Sequence, residues 1–116
     1  WEVTLTGGWQ RSLSLAMALV NDPKILFLDE PTLGLDVISR KELWDIIKSK
    51  KGNMTIILTT HYMEEAEKLS DRIGIMSNGV LKRVGTASQL KSMEKVETFE
   101  EAFIKIATGE VLYENN

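Results

Sequence analysis

The spacing of apolar and polar positions changes several times along the chain, and each change marks an element. Residues 4 to 8, Thr4-Leu5-Thr6-Gly7-Gly8, read as a loop. Residues 9 to 21 follow as a helix. Leu13, Leu15, Ala16, Met17, Ala18, Leu19 and Val20 make it apolar almost all round, which predicts that it is largely buried. Asn21-Asp22-Pro23 ends it. The run Ile25-Leu26-Phe27-Leu28 is short, continuous and bounded by a turn and by charge, the pattern of a strand buried on both faces. Residues 31 to 36 form a loop. Residues 37 to 51 form a helix with Leu43, Ile46 and Ile47 on one face, closed by Lys51-Gly52-Asn53. Thr55-Ile56-Ile57-Leu58-Thr59 is a second buried strand, rich in β-branched residues.

The second half of the chain reads more locally. Residues 62 to 69 make a short helix with Met63, Ala66 and Leu69 inward, and residues 72 to 76 make a third strand. Asn78-Gly79 is a hairpin turn leading into residues 80 to 84. Thr86 with Gln89, and Thr98 with Glu101, each form a capping box at the start of a helix. The last helix repeats Phe99, Ala102, Phe103 and Ile106 at helical spacing, and a frayed tail from residue 109 is expected to follow. Strands alternating with helices predict an α/β fold built on a parallel sheet with crossover helices.

Composition narrows the class. In 116 residues, the 43 % apolar share supports a packed core. The net charge of −3 gives no global attraction to nucleic acid or anionic lipid. The absence of cysteine removes disulfides and Cys-based metal sites, and a single histidine, His61, removes multi-histidine clusters. No apolar run reaches the roughly 18 residues that span a bilayer. The chain opens Trp1-Glu2-Val3, with no initiator Met, and runs straight into a glycine motif. That start is either processed or, as we expect, preceded by another half of the same domain.

Four features carry chemistry. Thr6-Gly7-Gly8 precedes a helix N-terminus, where close backbone approach and free N–H groups suit a phosphate; an ordinary turn would look the same. Asp29-Glu30 ends an apolar strand with two adjacent carboxylates, which repel and resist desolvation unless a cation or a partner relieves them. At the C-terminal end of a parallel strand they stand where α/β sheets bind ligands. Mg²⁺ favours one or two carboxylates, with water and phosphate completing its shell, so Asp29 would face a metal and Glu30 an attacking water. The alternative is a pair of solvated charges capping the next loop. His61 closes the second strand at the same predicted edge, where an imidazole can bond a phosphate oxygen and a water. Asp36, in Leu33-Gly34-Leu35-Asp36, is placed to N-cap the helix that follows.

In order and separation, Leu5-Thr6-Gly7-Gly8, residues 25 to 31, Gly34-Leu35-Asp36 and His61 resemble the nucleotide-binding domains of ATP-binding-cassette (ABC) proteins, from about residue 5 to residue 90. The resemblance implies the C-terminal portion of a P-loop NTPase domain: a mostly parallel sheet with flanking helices and a C-terminal hairpin. Residues 1 to 92 would be that portion, and residues 93 to 116 a short C-terminal helix and tail. It implies that Thr6, Gly7 and Gly8 are the signature motif that contacts ATP held by an opposing domain. Asp29 would be the Walker B aspartate near Mg²⁺, Glu30 the catalytic glutamate, Asp36 the D-loop aspartate at a dimer interface and His61 the switch histidine. Thr6 replaces the usual serine, and Trp9 stands where glutamine is common. No Gly-rich loop ending in Lys-Ser/Thr occurs in these residues, so the segment alone is expected to be inactive and to offer only the signature face and the hydrolytic carboxylates.

The segment His61-Tyr62-Met63-Glu64-Glu65-Ala66, with Leu69-Ser70-Asp71-Arg72-Ile73 and Asn78-Gly79, resembles the ATPases of exporters for drugs, lipids, bacteriocins or polysaccharides. That implies ATP and Mg²⁺ as cofactors, a transmembrane permease subunit and a second ABC ATPase domain as partners, no nucleic acid, and a cytoplasmic place on the inner face of a membrane. The alternatives are a soluble ABC-type ATPase acting on ribosomes or DNA, and a non-catalytic fragment.

Overall fold

The structure is a computed structural model that describes residues 7 to 109, with side chains from residue 11 onward. The chain divides into two compact units at His61/Tyr62. Thr6 and the tail beyond residue 109 lie outside the described residues, as does the side chain of Trp9.

The first unit contains helix α1 (Gly7–Leu19), strand β1 (Ile25–Asp29), helix α2 (Val37–Lys50) and strand β2 (Thr55–Thr59). Strands β1 and β2 pair in parallel, with Ile25 opposite Thr55 and Asp29 opposite Thr59. That register follows from the crossover through α2, which returns the chain to start β2 beside the start of β1. Both strands therefore end at the same edge.

Two expectations need correction here. Gly7 and Gly8 are helical and form the first turn of α1, not a loop before it, and α1 ends at Leu19. The predicted all-round burial of α1 and two-sided burial of the strands do not hold. Leu15 is buried, whereas Met17 is 68 % exposed. Leu26 is buried, while its neighbour Phe27 is 71 % exposed on the opposite face of β1. Ile57, paired with Phe27, is also exposed. Hydrophobicity identifies which positions are apolar, but burial depends on what covers them, and the described residues cover only the Leu26 face.

Helix α2 buries Leu43, Trp44 and Ile47, with Ile46 half-buried, so its buried stripe is turned slightly from the one expected. The loop between β1 and α2 is itself packed. Pro31, Thr32 and Leu35 are buried, and Leu33 N–H donates to Glu30 O at 3.1 Å while Leu35 N–H donates to Thr32 O at 3.1 Å.

The second unit contains α3 (Met63–Leu69), β3 (Ile73–Ser77), β4 (Val80–Gly85), α4 (Ala87–Glu94) and α5 (Phe99–Thr108). Strands β3 and β4 form an antiparallel hairpin. Asn78 and Gly79 both take positive φ, 53° and 77°, matching the right-handed twist of the hairpin arms. Ala66, Ile73, Ile75, Leu90, Phe99 and Ile106 form the core. Both capping boxes are present, Thr86 with Gln89 and Thr98 with Glu101. Lys105 Nζ donates to Glu94 O at 2.8 Å, tying α5 to the end of α4.

Candidate active site at the ends of the parallel strands

The site is assembled at the C-terminal ends of β1 and β2. Parallel pairing sets Asp29 opposite Thr59, and one residue further on the chain turns sharply at Glu30. Glu30 has φ 49°, a left-handed conformation that costs a non-glycine residue about 1 kcal/mol and needs support from its surroundings. Its N–H donates to Thr59 O at 2.8 Å, which extends the ladder by one bond and fixes the turn.

The turn aims the Glu30 side chain across to the second strand. His61 N–H donates to Glu30 Oε1 at 3.3 Å, and His61 Nδ1 pairs with Glu30 Oε2. The carboxylate is largely enclosed, with 16 % of its side chain exposed, while the imidazole is 89 % exposed. A carboxylate on Nδ1 holds a proton there and leaves Nε2 facing solvent. Nε2 can then accept from water in the neutral ring, or donate to a phosphate oxygen in the charged ring. Beside them, the Thr59 hydroxyl donates to Asp29 Oδ1. The two adjacent carboxylates thus have separate partners, Thr59 for Asp29 and His61 for Glu30, which relieves their mutual repulsion.

A cavity of about 570 Å³ opens beside this edge, lined by Asp29 and Glu30 together with Arg11, Phe27, Leu33 and Leu43 among others. Among the described residues no group of three or more His, Cys, Asp or Glu side chains gathers to hold a metal. Mg²⁺ does not require one, because one or two carboxylates suffice when water and substrate phosphates fill the other positions. The exposed Asp29 carboxylate with Glu30 next to it fits that requirement.

Asp36 is not among the residues that line the cavity. It N-caps α2, accepting from Ser39 N–H at 2.7 Å. The hydrogen bonds from Ser39, backbone first and then side chain, with the nearby Arg40 charge, hold its carboxyl below the ordinary value of 3.8. Gly7 and Gly8 stand at the N-terminus of α1, where free N–H groups and the helix dipole favour an anion.

The sequence reading missed two contributors. In sequence Thr59 is only a β-branched strand residue, whereas parallel pairing places its hydroxyl on Asp29. Arg11 is the second. It donates from α1 to main-chain oxygens of the loop after β1: Nη1 to Glu30 O at 3.2 Å and to Pro31 O, and Nη2 to Leu33 O at 2.7 Å. The available signal was a cation within an otherwise apolar helix pattern, which needs partners if it is to be half-buried.

The ABC transporter family model matches residues 2–33. Over 87 residues the chain is 59 % identical to ABC transporter A family member 9 and to member 11 of Arabidopsis thaliana, and 58 % identical to member 2. Those matches take in 75 % of the chain and 9 % of each relative, so the chain spans about a tenth of their length. Among solved structures it is similar to one described as an ATP binding subunit of an ABC transporter, with a TM-score of 0.76 and 25 % identity over 88 % of this chain and 44 % of that one. In sequence the chain is similar to ABC transporters, and in local fold to an ATP binding subunit of one.

Proposed function

We propose that this chain supplies the hydrolytic carboxylates and the signature helix of an ATP-hydrolysing domain that powers a membrane exporter. The observation that carries the reading is the meeting of Glu30 with His61 at the common end of two parallel strands, beside Asp29. Glu30 takes a proton from the water whose oxygen bonds to the γ-phosphorus, as the bond to the β–γ bridging oxygen breaks and ADP leaves. His61 orients the Glu30 carboxylate through Nδ1 and presents Nε2 to water and phosphate. Asp29, held by Thr59, would bind Mg²⁺, which when present neutralises charge on the phosphates. Thr6, Gly7 and Gly8 present N–H groups to the γ-phosphate of ATP bound by an opposing domain, and Asp36 lies at the interface between the two.

Coupling to transport is supported by the similarity to the A-family transporters and by the exporter-like segment from His61 to Gly79. Among the described residues no helix is long and apolar enough to cross a membrane, so the membrane path would belong to a permease part. In this reading the site works on the cytoplasmic side, against the inner face of the membrane.

The test is Glu30→Gln in the complete gene product. It should lower ATP turnover by about 10³-fold, within the range of general-base catalysis, and accumulate an ATP-bound dimer. Turnover at the wild-type rate would remove Glu30 from the role of base. Co-purification with a polytopic membrane protein separates a transporter role from work on nucleic acid.

A further inference from the structure

Helix α1 carries a single basic side chain, Arg11, four positions after Gly7 and therefore on the same face one turn along. Its half-buried guanidinium reaches three carbonyls of the loop that follows β1, those of Glu30, Pro31 and Leu33. A planar fork with five donors can serve oxygens at several points along a chain, where a single ammonium cannot. These oxygens belong to the segment that includes Glu30, whose left-handed backbone depends on its neighbours. Thr59 O holds the N–H side of Glu30. On the carbonyl side the holders are Leu33 N–H, from within the loop, and Arg11, from a different element.

We propose that Arg11 is a positioning residue for Glu30: by clamping residues 30 to 33 to α1, it keeps the Glu30 carboxylate on His61 and ties the base to the helix that begins at Gly7-Gly8. The guanidinium is spent on main-chain oxygens, so Arg11 acts through Glu30. Its removal frees the loop, and the carboxylate leaves the geometry that the strained turn imposes. The catalytic part of this inference rests on Glu30 being the base; the clamp itself does not.

The experiment compares Arg11→Lys and Arg11→Met with wild type in the complete gene product. Three quantities are read: kcat and KM for Mg-ATP, and amide hydrogen exchange of the peptide covering residues 30 to 33. Arg11→Met should lower kcat about 10- to 100-fold, the scale of a small misplacement of a catalytic group, with KM changed less than about threefold. Exchange in the loop should rise. Arg11→Lys, which keeps the charge but loses the fork, should fall between the two and guards against a variant that fails to fold. In a Glu30→Gln background, Arg11→Met should lower kcat no further, because the group it positions is already gone. Wild-type kcat and loop exchange in Arg11→Met, alongside a defective Glu30→Gln, would overturn the proposal. Wild-type kcat in Glu30→Gln itself would place the failure in the base assignment, and loop exchange would still report the clamp.

Discussion

The two units of the chain are stabilised in different ways. In the second, the hairpin and helices close around Ile75, Leu90, Phe99 and Ala102, all nearly inaccessible, and two helices begin with complete capping boxes. Local preference and packing agree through this core and at both helix starts, although Lys95 ends α4 in a left-handed conformation and Met76, Val80 and Leu81 are exposed on the hairpin. The first unit holds Glu30 in a left-handed turn, leaves Phe27 and Ile57 exposed, and clusters Asp29, Glu30, Thr59 and His61 at one edge. Asp29 and Glu30 line a cavity, with Thr59 and His61 bonded to them. A left-handed residue alone does not single out a site, since Asp22 and Lys95 are left-handed at helix ends; at Glu30 it coincides with a convergence of polar side chains, and that conjunction marks the candidate site.

This contrast can be broken by substitution. The largest stability effect should come from the second unit. Phe99→Ala empties a core position that is 3 % exposed and should destabilise by about 3 to 5 kcal/mol, seen as a lower denaturant midpoint. A loss under about 1 kcal/mol would mean that the second unit is not held by this core.

A smaller effect is expected at the start of α5. Thr98→Ala removes the oxygen that accepts from Glu101 N–H at 3.1 Å, and should cost about 1 kcal/mol with ATP turnover unchanged. A fall in turnover without a fall in stability would show that the second unit does more than support itself.

The smallest effect is a pH dependence in the first unit. The folded-state carboxyl of Asp36 is held below 3.8, so its contribution is present above that pH and fades as pH falls through the lowered value. Asp36→Asn keeps a capping oxygen and removes the titration. The wild-type advantage in thermal midpoint over Asp36→Asn should therefore hold near neutrality and shrink below pH 3.8. An advantage that grows on acidification would contradict the assignment of the cap.

Much of this was legible in sequence, and the reasons are physical. The strand at residues 55 to 59, the Asn78-Gly79 turn and both capping boxes depend on neighbours within four or five positions, so the chain states them directly. Asp29, Glu30 and His61 were legible as a group because parallel pairing carries both strand ends to one edge. What could not be read was what covers an apolar position, as the exposed Met17 and Phe27 show, since covering is a property of the surroundings and not of the period. The cation within the α1 pattern signals that Arg11 needs partners, but not which ones, because they are main-chain carbonyls about twenty positions away that leave no trace in residue type.

The measurement that bears most directly on the active-site assignment is a double-mutant cycle on ATP turnover with Glu30→Gln and His61→Ala. If the carboxylate and the imidazole act as one device, each single variant should lose turnover severely and the double variant should be little worse than Glu30→Gln alone. Losses that simply multiply would mean that the two side chains work independently, and would contradict the assignment of this strand-end pair as the hydrolytic centre.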